Sequence, residues 1–358
     1  MSRYREIDLS RVRTYPVQER NSLVLREDAY TPPRDPGSFR DFWASLPDAL
    51  AARDLRLLVE RTCEARAAGA GFLVLLGAHV IKTGLSPALI RLMEEGWITA
   101  LAMSGAGTIH DLELACFGRT SEDVASQLPE GRFGMARETS AWLNEWTVDA
   151  AGRGEGLGEG LGRAILERAG EGASRSLLAS AWRLGIPATV HVAIGTDINH
   201  MHAGFSGRAA GEASARDFRI LCREVGTLAR GVALNLGSAV LLPEVFLKAV
   251  SVNVNLGVAF DGLTTAVFDF LRHYRPMENV TRRPALQGGT GQYLIGHHEI
   301  LIPLFTQAVL LTAADRGLRP SPGDAPGARS AGDPSAGDPT VGDPSAGRTI
   351  PPRDKEAN

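Results

Sequence analysis

Two apolar runs that each end in a glycine-containing turn constrain this chain more than any other feature. The runs cover Gly71–Leu76 and Trp97–Met103, and the turns that follow them read GAHVIKTG and SGAGTIHD. Short apolar runs of this kind, followed by turns and then by helical spacing, are typical of a parallel sheet that is buried on both faces. The pattern therefore predicts an α/β fold with a doubly wound parallel sheet of the Rossmann type.

Both turns carry side chains that can exchange protons or bind ions. His79 and Lys82 follow the first run, and His110 and Asp111 follow the second. Ligands of open parallel sheets bind at the carboxyl ends of the strands, where the turns meet the N-termini of helices. We therefore expect an active site at this edge of the sheet.

Length, charge and cysteine usage limit the classes of protein that fit. The chain has 358 residues and a formal net charge of −3, which allows a large core and argues against a basic nucleic-acid-binding face. No apolar run is long enough to span a membrane, and the first residues lack the apolar region of a signal peptide. The three cysteines are far apart, which predicts reduced thiols and a cytoplasmic location.

Composition divides the chain into three segments. Residues 1–40 are polar and proline-rich and predict an extended arm, whereas residues 41–318 carry the strand and helix patterns and predict one α/β domain. Residues 319–358 contain AGDPS, AGDPT and VGDPS repeats, and they predict a disordered tail because they cannot bury enough apolar area to offset chain entropy.

Two glycine-rich stretches inside the domain allow more than one interpretation. Residues 152–162 read GRGEGLGEGLG and lack the preceding strand and the Lys-Ser/Thr pair of a phosphate loop, so we interpret them as a flexible connection or a loose helix start. Gln287–Gly291 precede a long apolar helix that begins near His297. They predict either a phosphate cradle made of backbone N–H groups or a plain tight turn.

Several motifs, in the same order and with similar spacing, resemble those of deoxyhypusine synthases. GAHVIKTG is similar to that family's TSNLISSG turn, SGAGTIHDL to its TAGGVEEDL, and LGIPATVHVAIGTD to its strand that ends in TDGS. KAVSVNVNL, which begins at Lys248, resembles KHHIANANL, and HHEILIPLF resembles DASLVFPLL. The resemblance runs from about Gly71 to Thr312. It implies a doubly wound parallel sheet, NAD binding, and homo-oligomers (dimers or tetramers) whose sites lie between subunits.

The chain departs from this family where the family's chemistry lies. Those enzymes oxidise the polyamine spermidine and transfer its aminobutyl group through a lysine in a Trp-Gly-Lys motif, but no lysine lies between Lys248 and Lys355 here. The family's paired polyamine-binding glutamates correspond to Ile109 and His110, and a further aspartate corresponds to His202. We therefore expect an NAD-binding transferase or oxidoreductase that acts on a small amine or amino acid, rather than a lysine aminobutyl transferase.

The resemblance also suggests individual site residues. The positions that correspond to the family's dinucleotide contacts are Ala78, His79, Ser104, Gly105, Ala106, Asp197 and His297. A carboxylate such as Asp197 can accept two ribose hydroxyls, and a helix N-cap is the structural alternative for it. His110 or His202 is the predicted general base. Lys248, which matches a lysine beside the family's amine-binding histidine, completes the predicted catalytic set.

The histidines leave two further hypotheses open. Six of the eight histidines fall at predicted strand ends or at the start of the last helix. The His200–His202 pair, together with His110, suits a metal ion. The candidate supplementary ligands are Asp111, Glu299 and His298. The other alternative is a non-catalytic descendant of the family that binds a ligand.

Overall fold

The computed structural model describes residues 37–318 without a gap, and also residues 10, 12, 13, 15, 16, 19 and 30–32. Most of the predicted N-terminal arm and the whole predicted tail 319–358 therefore lie outside the described residues. The boundaries of the predicted domain remain predictions.

A six-stranded parallel sheet forms the centre of the described chain. Its strands are β1 (Phe72–Leu76), β2 (Ala100–Ser104), β3 (Ala188–His191), β4 (Val232–Leu236), β5 (Thr264–Asp269) and β6 (Thr290–Ile295). They lie in the order β3-β2-β1-β4-β5-β6, and every neighbouring pair is parallel. This is the strand order of the Rossmann fold, so the predicted doubly wound α/β sheet is confirmed.

Helices precede, connect and follow the strands. They are α1 (Phe39–Ser45), α2 (Leu50–Ala67), α3 (Ala78–Lys82), α4 (Ser86–Glu94), α5 (Gly105–Phe117), α6 (Val124–Gln127), α7 (Arg137–Arg153), α8 (Leu157–Arg168), α9 (Leu177–Leu184), α10 (Gly207–Val225), α11 (Leu241–Asn255), α12 (Tyr274–Pro276), α13 (Arg283–Ala285) and α14 (His298–Asp315). A π-helical turn spans Met277–Arg282, and a 3-10 turn, Ile198–Met201, follows β3. Within the described part of the chain, no helix has the length and apolar character needed to cross a membrane.

Helices cover both faces of the sheet. Alternate residues of a strand point to opposite faces, so each buried strand contributes side chains to an apolar core on either side. Val74 of β1 lies in one apolar core with Leu58 of α2 and Phe305 of α14. Its neighbour Leu75 lies in the second core with Leu221 of α10. All five residues of β1 are buried, which explains why the strand reads as an unbroken apolar run.

The glycine-rich segment 152–162 contains the start of α8 and is not a flexible connection. Its glycines permit close packing of that helix. A Cβ atom on Gly158 would lie 1.9 Å from the carbonyl oxygen of Ala188, and one on Gly162 would lie 2.5 Å from that of Leu178. Helix α8 therefore lies directly on β3 and α9, at a distance that a side chain at either position would prevent.

The segment Gln287–Gly291 runs into an edge strand, which the sequence did not predict. Thr290 and Gly291 belong to β6, which pairs in parallel register with β5. Only part of β6 is buried: Gln292 and Leu294 point inward, whereas both ends are exposed. A half-exposed sequence such as TGQYLI lacks the continuous apolar run that marked the other strands.

A buried carboxylate on α5 holds the start of α9. Asp111 is fully buried and accepts hydrogen bonds from the Ser176 hydroxyl at 2.5 Å and from the backbone N–H groups of Leu177 and Leu178 at 2.8 and 3.1 Å. The first N–H groups of a helix have no partner inside it, so this contact satisfies them across the domain. Asp111 therefore has a structural role. Its carboxylate oxygens are used in these hydrogen bonds and are not ligands of the predicted metal site.

A second buried carboxylate, on α10, holds the start of α8 in the same way. Asp217 accepts hydrogen bonds from the backbone N–H of Val190 at 2.7 Å and from that of Gly158 at 3.0 Å. Burial raises the pKa of the Asp217 carboxyl to about 7, even though these hydrogen bonds act in the opposite direction. The carboxyl thus binds its proton more tightly in the folded chain than in the unfolded one.

This shift predicts a specific pH dependence of stability. Because the pKa of Asp217 rises from 3.8 to about 7 on folding, the folded state holds more protons between these values, and the contribution of Asp217 to the free energy of unfolding falls as the pH rises through this window. Asp217→Asn removes this dependence. The free energy of unfolding of the wild type, minus that of the variant, should therefore fall by a few kcal/mol from about pH 4 to 7, at about 1.4 kcal/mol per pKa unit.

Urea denaturation of both proteins across that pH window measures the difference. Asp261→Asn, at an exposed carboxylate, is the matched control and should show no such trend. A difference between wild type and Asp217→Asn that is independent of pH would contradict the prediction.

Candidate active site at the carboxyl edge of the sheet

The turns after β1 and β2 bring several ionisable side chains to one edge of the sheet. His79 and Lys82 lie on α3, and His110 lies on the neighbouring α5. The ring of His79 lies against that of His298 at the start of α14, with the ring centroids 5.8 Å apart. Burial, and after it the charge of Lys82, lower the pKa of both His79 and His110. We call His79, Lys82, His110 and His298 the edge cluster.

His110 belongs to a chain of hydrogen bonds that ends on a carboxylate. Its Nδ1 lies 2.7 Å from Oγ1 of Thr120. The Thr120 hydroxyl donates to Oε2 of Glu113 at 2.5 Å, and the Thr139 hydroxyl donates to Oε1 of the same carboxylate at 2.8 Å. We call His110, Thr120, Glu113 and Thr139 the relay.

The relay fixes which nitrogen of the neutral His110 ring carries the proton. A hydroxyl has a single proton, and Thr120 gives its own to Glu113, so the hydrogen between Thr120 and His110 must belong to Nδ1. Nε2 then carries a lone pair, and no described residue is hydrogen-bonded to it. Burial, followed by the charges of Lys82 and His79, lowers the pKa of His110, which keeps the ring neutral near pH 7. An oriented neutral imidazole with a free lone pair has the properties of a general base.

The two other histidines of the predicted metal site are used to hold loops. Nε2 of His202 donates to the carbonyl oxygen of Gly134 at 2.8 Å. Nδ1 of His200 accepts from the backbone N–H groups of Gly195 and Asp197 at 3.1 and 3.3 Å. Across the residues that the structure describes, no three His, Cys, Asp or Glu side chains are placed to hold a metal ion. The metal-site hypothesis is therefore not supported, and His110 is the better placed of the two predicted bases.

Asp197 caps the 3-10 turn that follows β3. It forms a capping box with His200 and is 7% exposed, so the structural alternative noted from the sequence is present. Its carboxylate also lies against the first turn of α5, because a Cβ atom on Gly105 would be 2.1 Å from Oδ2. Ser104 precedes that turn as the N-cap residue, and Ala106 is its second residue.

This arrangement bears on whether the chain can hold a dinucleotide. In Rossmann folds, a glycine-rich turn after one strand approaches the diphosphate, and a carboxylate later in the same βαβ unit binds the ribose. Here Gly105-Ala106-Gly107 follows β2 and Asp197 follows the neighbouring β3. These residue types correspond to those that bind ribose and diphosphate in Rossmann folds, but here the Asp197 carboxylate itself lies against Gly105. The cavity beside Gly105, Asp197 and His200 has a volume of about 20 Å³, enough for one or two water molecules.

The position where Rossmann folds usually bind the dinucleotide, between the ends of β1 and β4, is filled by protein atoms. The backbone N–H of Gly77 donates to the carbonyl of Leu236 at 2.8 Å, and a Cβ atom on Gly77 would lie 2.3 Å from the carbonyl oxygen of Gly237. The buried ring of His298 covers Gly237, and its Nε2 donates to the carbonyl of Phe268 at 3.0 Å. Polar groups open to a ligand therefore lie beside this position, on α3 and α5.

The remaining predicted residues lie at the margin of the edge cluster or away from it. Ala78 is the first residue of α3. His297 is exposed, and its ring is parallel to that of Phe270, with 6.5 Å between centroids. Lys248 forms an exposed ion pair with Glu244 on α11. In the described part of the chain its partner is this glutamate and not a member of the edge cluster, so a catalytic role for Lys248 is not carried into the proposal below.

Sequence reasoning missed three of the four members of the relay. Glu113 and His110 are three residues apart on α5, which places them on one helix face, and this spacing was the only available signal. Thr120 returns to this face because Gly118 ends α5 with a φ of 69°. Thr139 comes from α7, so only the folded chain brings it to Glu113.

Comparisons with known proteins return fold-level likenesses only. No protein-family model matches this chain, and no curated protein matches it. Among solved structures, the apo form of ArgZ, an arginine dihydrolase from the ornithine-ammonia cycle in cyanobacteria, is similar over 72% of this chain and 33% of its own, with 17% identity and a TM-score of 0.43. The ternary complex of AgrE with ornithine and NAD+ is similar over 74% of this chain and 34% of its own, with 19% identity and a TM-score of 0.46.

A putative deoxyhypusine synthase from Entamoeba histolytica is similar over 78% of this chain and 97% of its own, with 11% identity and a TM-score of 0.48. The chain spans about a third of the length of ArgZ and AgrE. At these identities and TM-scores the likenesses assign no activity to this chain.

The relay predicts the protonation state of His110 directly. In imidazole ¹⁵N NMR spectra of labelled protein at neutral pH, His110 should show the Nδ1–H tautomer, and its pKa should lie below 6.5, because burial and Lys82 disfavour the charged ring. Thr120→Val removes the acceptor at Nδ1 and should shift the ring toward a mixture of tautomers. Thr312→Val on α14 is the control. An Nε2–H tautomer in the wild type would rule out the relay.

Proposed function

We propose that the chain is an enzyme with altered deoxyhypusine-synthase-like chemistry that acts on a small amine or amino acid, with His110 as its general base. The relay is the observation that carries this proposal. It orients a neutral imidazole at the carboxyl edge of a Rossmann-type sheet and leaves the Nε2 lone pair free, where such sheets bind their ligands.

In the proposed reaction, Nε2 of His110 takes a proton from the substrate. The imidazolium that forms is stabilised because its Nδ1–H points toward Thr120 and, through it, toward the carboxylate of Glu113. Thr139 holds that carboxylate in place from the other side. The lowered pKa of His110 keeps the base in its active form near neutral pH.

We further propose NAD as the cofactor, supported by the strand order and by the donor set beside β2 and β3. The residues that would hold it are Ala78, His79, Ser104, Gly105, Ala106, Asp197 and His297. When bound, NAD supplies a hydride acceptor for the substrate carbon. A homo-oligomer and a cytoplasmic location belong to the same proposal and rest on the sequence resemblance and on composition.

Loss of the base should remove turnover without removing the fold. With NAD and a panel of amines and amino acids, followed by nicotinamide absorbance, His110→Gln should lower kcat by about 10²–10⁴-fold, the range expected for loss of a general base. Thr120→Val should lower kcat less, because the base remains but is no longer held. Thr312→Val on α14 should have no effect. Wild-type turnover by His110→Gln would contradict the proposed function.

Binding of the cofactor is tested separately by thermal unfolding. NAD should raise the Tm of the wild type progressively, as expected for a ligand that binds only the folded state. Asp197→Asn should reduce the rise in Tm that NAD produces, because the amide replaces an acceptor of ribose hydroxyls with a donor, whereas Asp261→Asn should leave it unchanged. The comparison uses the NAD-induced rise in each protein, since Asp197 also caps a turn. No rise at millimolar NAD would exclude the cofactor assignment.

A further inference from the structure

The imidazole ring of His298 occupies the space in front of the turn that follows β4. His298 is the first residue of α14 and is 2% exposed. A Cβ atom on Gly237 would lie 2.6 Å from Cε1 and 2.9 Å from Nε2 of this ring. Gly237 also has a φ of 68°, which favours glycine. The room that the missing side chain of Gly237 leaves is therefore filled by the side chain of His298.

The same turn borders the crevice at which sheets of this strand order bind dinucleotides. That crevice lies where the strand order reverses, here between β1 and β4, and a glycine beside it lets the diphosphate approach the backbone. The turn leads into α11, and no residue in the described part of the chain accepts a hydrogen bond from the N–H groups of Ser238 and Ala239. Unpaired N–H groups before a long helix suit an anionic ligand.

The ring of His298 is held in this position by a single hydrogen bond. Its Nε2 donates to the carbonyl oxygen of Phe268 at 3.0 Å. That oxygen also accepts the backbone N–H of Gly237 at 3.0 Å, so it would keep a partner if the ring moved away. Since Nε2 carries the proton of the neutral ring, Nδ1 carries a lone pair, and none of the described residues donates to it.

Movement of the ring toward solvent therefore has a small cost. It breaks one neutral hydrogen bond and the packing of one ring, but it leaves no buried acceptor unpaired and lets water bind to both ring nitrogens. The route toward solvent passes an exposed neighbour, because the ring of His79 lies with its centroid 5.8 Å from that of His298 and His79 is exposed.

We propose that the ring of His298 closes the crevice in the free protein, and that NAD binds beside Gly237 once the ring has moved out. This inference rests on the cofactor part of the proposed function. An anionic group of the dinucleotide takes the place of the ring in front of the turn. Binding then includes the cost of moving the ring, so the apparent Kd of the protein for NAD exceeds the Kd of the open form.

Isothermal titration of the full chain with NAD provides the first test. His298→Ala removes the ring and should lower the Kd for NAD at least about threefold, the factor that corresponds to one neutral hydrogen bond that no longer has to be broken. Gln307→Ala, at an exposed position of the same helix, is the matched control and should bind NAD as the wild type does.

Imidazole ¹⁵N NMR spectra of the wild type provide the second test. In the free protein, His298 should show the Nε2–H tautomer, because the carbonyl of Phe268 can only accept a hydrogen bond. At saturating NAD, the two nitrogens of His298 should instead show the averaged shifts of a solvated ring. This measurement uses only the wild type, so it decides the matter even if His298→Ala does not fold.

Either of two results would overturn the inference: an unchanged Kd for NAD in His298→Ala, or a His298 ring that keeps the Nε2–H tautomer at saturating NAD. If the wild type binds NAD with either result, the cofactor assignment stands and the closing role of His298 does not. Binding of NAD by His298→Ala but not by the wild type would support that role and contradict the cofactor assignment for the natural chain. No binding by either protein at millimolar NAD would overturn both, and the tautomer of His110 would still test the relay.

Discussion

A close backbone contact between the turns after β1 and β4 occupies the position at which sheets of this strand order usually bind a ligand. A side chain at Gly77 would collide with the carbonyl of Gly237, and one at Gly237 would collide with the ring of His298. In most sheets of this strand order, the same position is an open crevice. Its closure leaves the turns after β1 and β2 as the accessible polar surface, and the edge cluster lies there.

The buried carboxylates show how the same functional group takes different roles in one domain. Asp111 and Asp217 each accept a backbone N–H at the start of a helix, so their hydrogen bonds hold packed helices in place, while burial disfavours their charged forms. Glu113 accepts only hydroxyl groups, and one of these passes its effect on to a titratable ring. The partners of the carboxylate, and not its burial alone, separate a carboxylate that caps a helix from one that orients a titratable ring.

The buried parts of the fold were predictable because burial on both faces leaves a strong pattern. β1 and β2 followed from their apolar runs, and the doubly wound sheet followed from the turns and helices between them. The edge strand β6 was not predictable in this way, since half of its residues face solvent. The glycines of α8 were misleading because glycine marks close packing as often as it marks flexibility, and only the neighbours at Ala188 and Leu178 distinguish the two. The position of His110 at this edge of the sheet followed from the sequence and its catalytic role stays a prediction, whereas the residues that orient its ring come from three separate segments and were not predicted.

The relay also divides the chain into a part that must stay fixed and a part that need not. Thr120 and Thr139 bracket residues 121–138, and both threonines are tied to the same carboxylate on α5. The intervening segment, which includes α6, is attached to the loop after β3 through Gly134 and His202. Insertions or replacements between the two threonines would therefore leave Glu113, and the His110 ring that it orients through Thr120, in place. The sequence of this segment can therefore change, by evolution or by design, while the imidazole of His110 keeps its orientation.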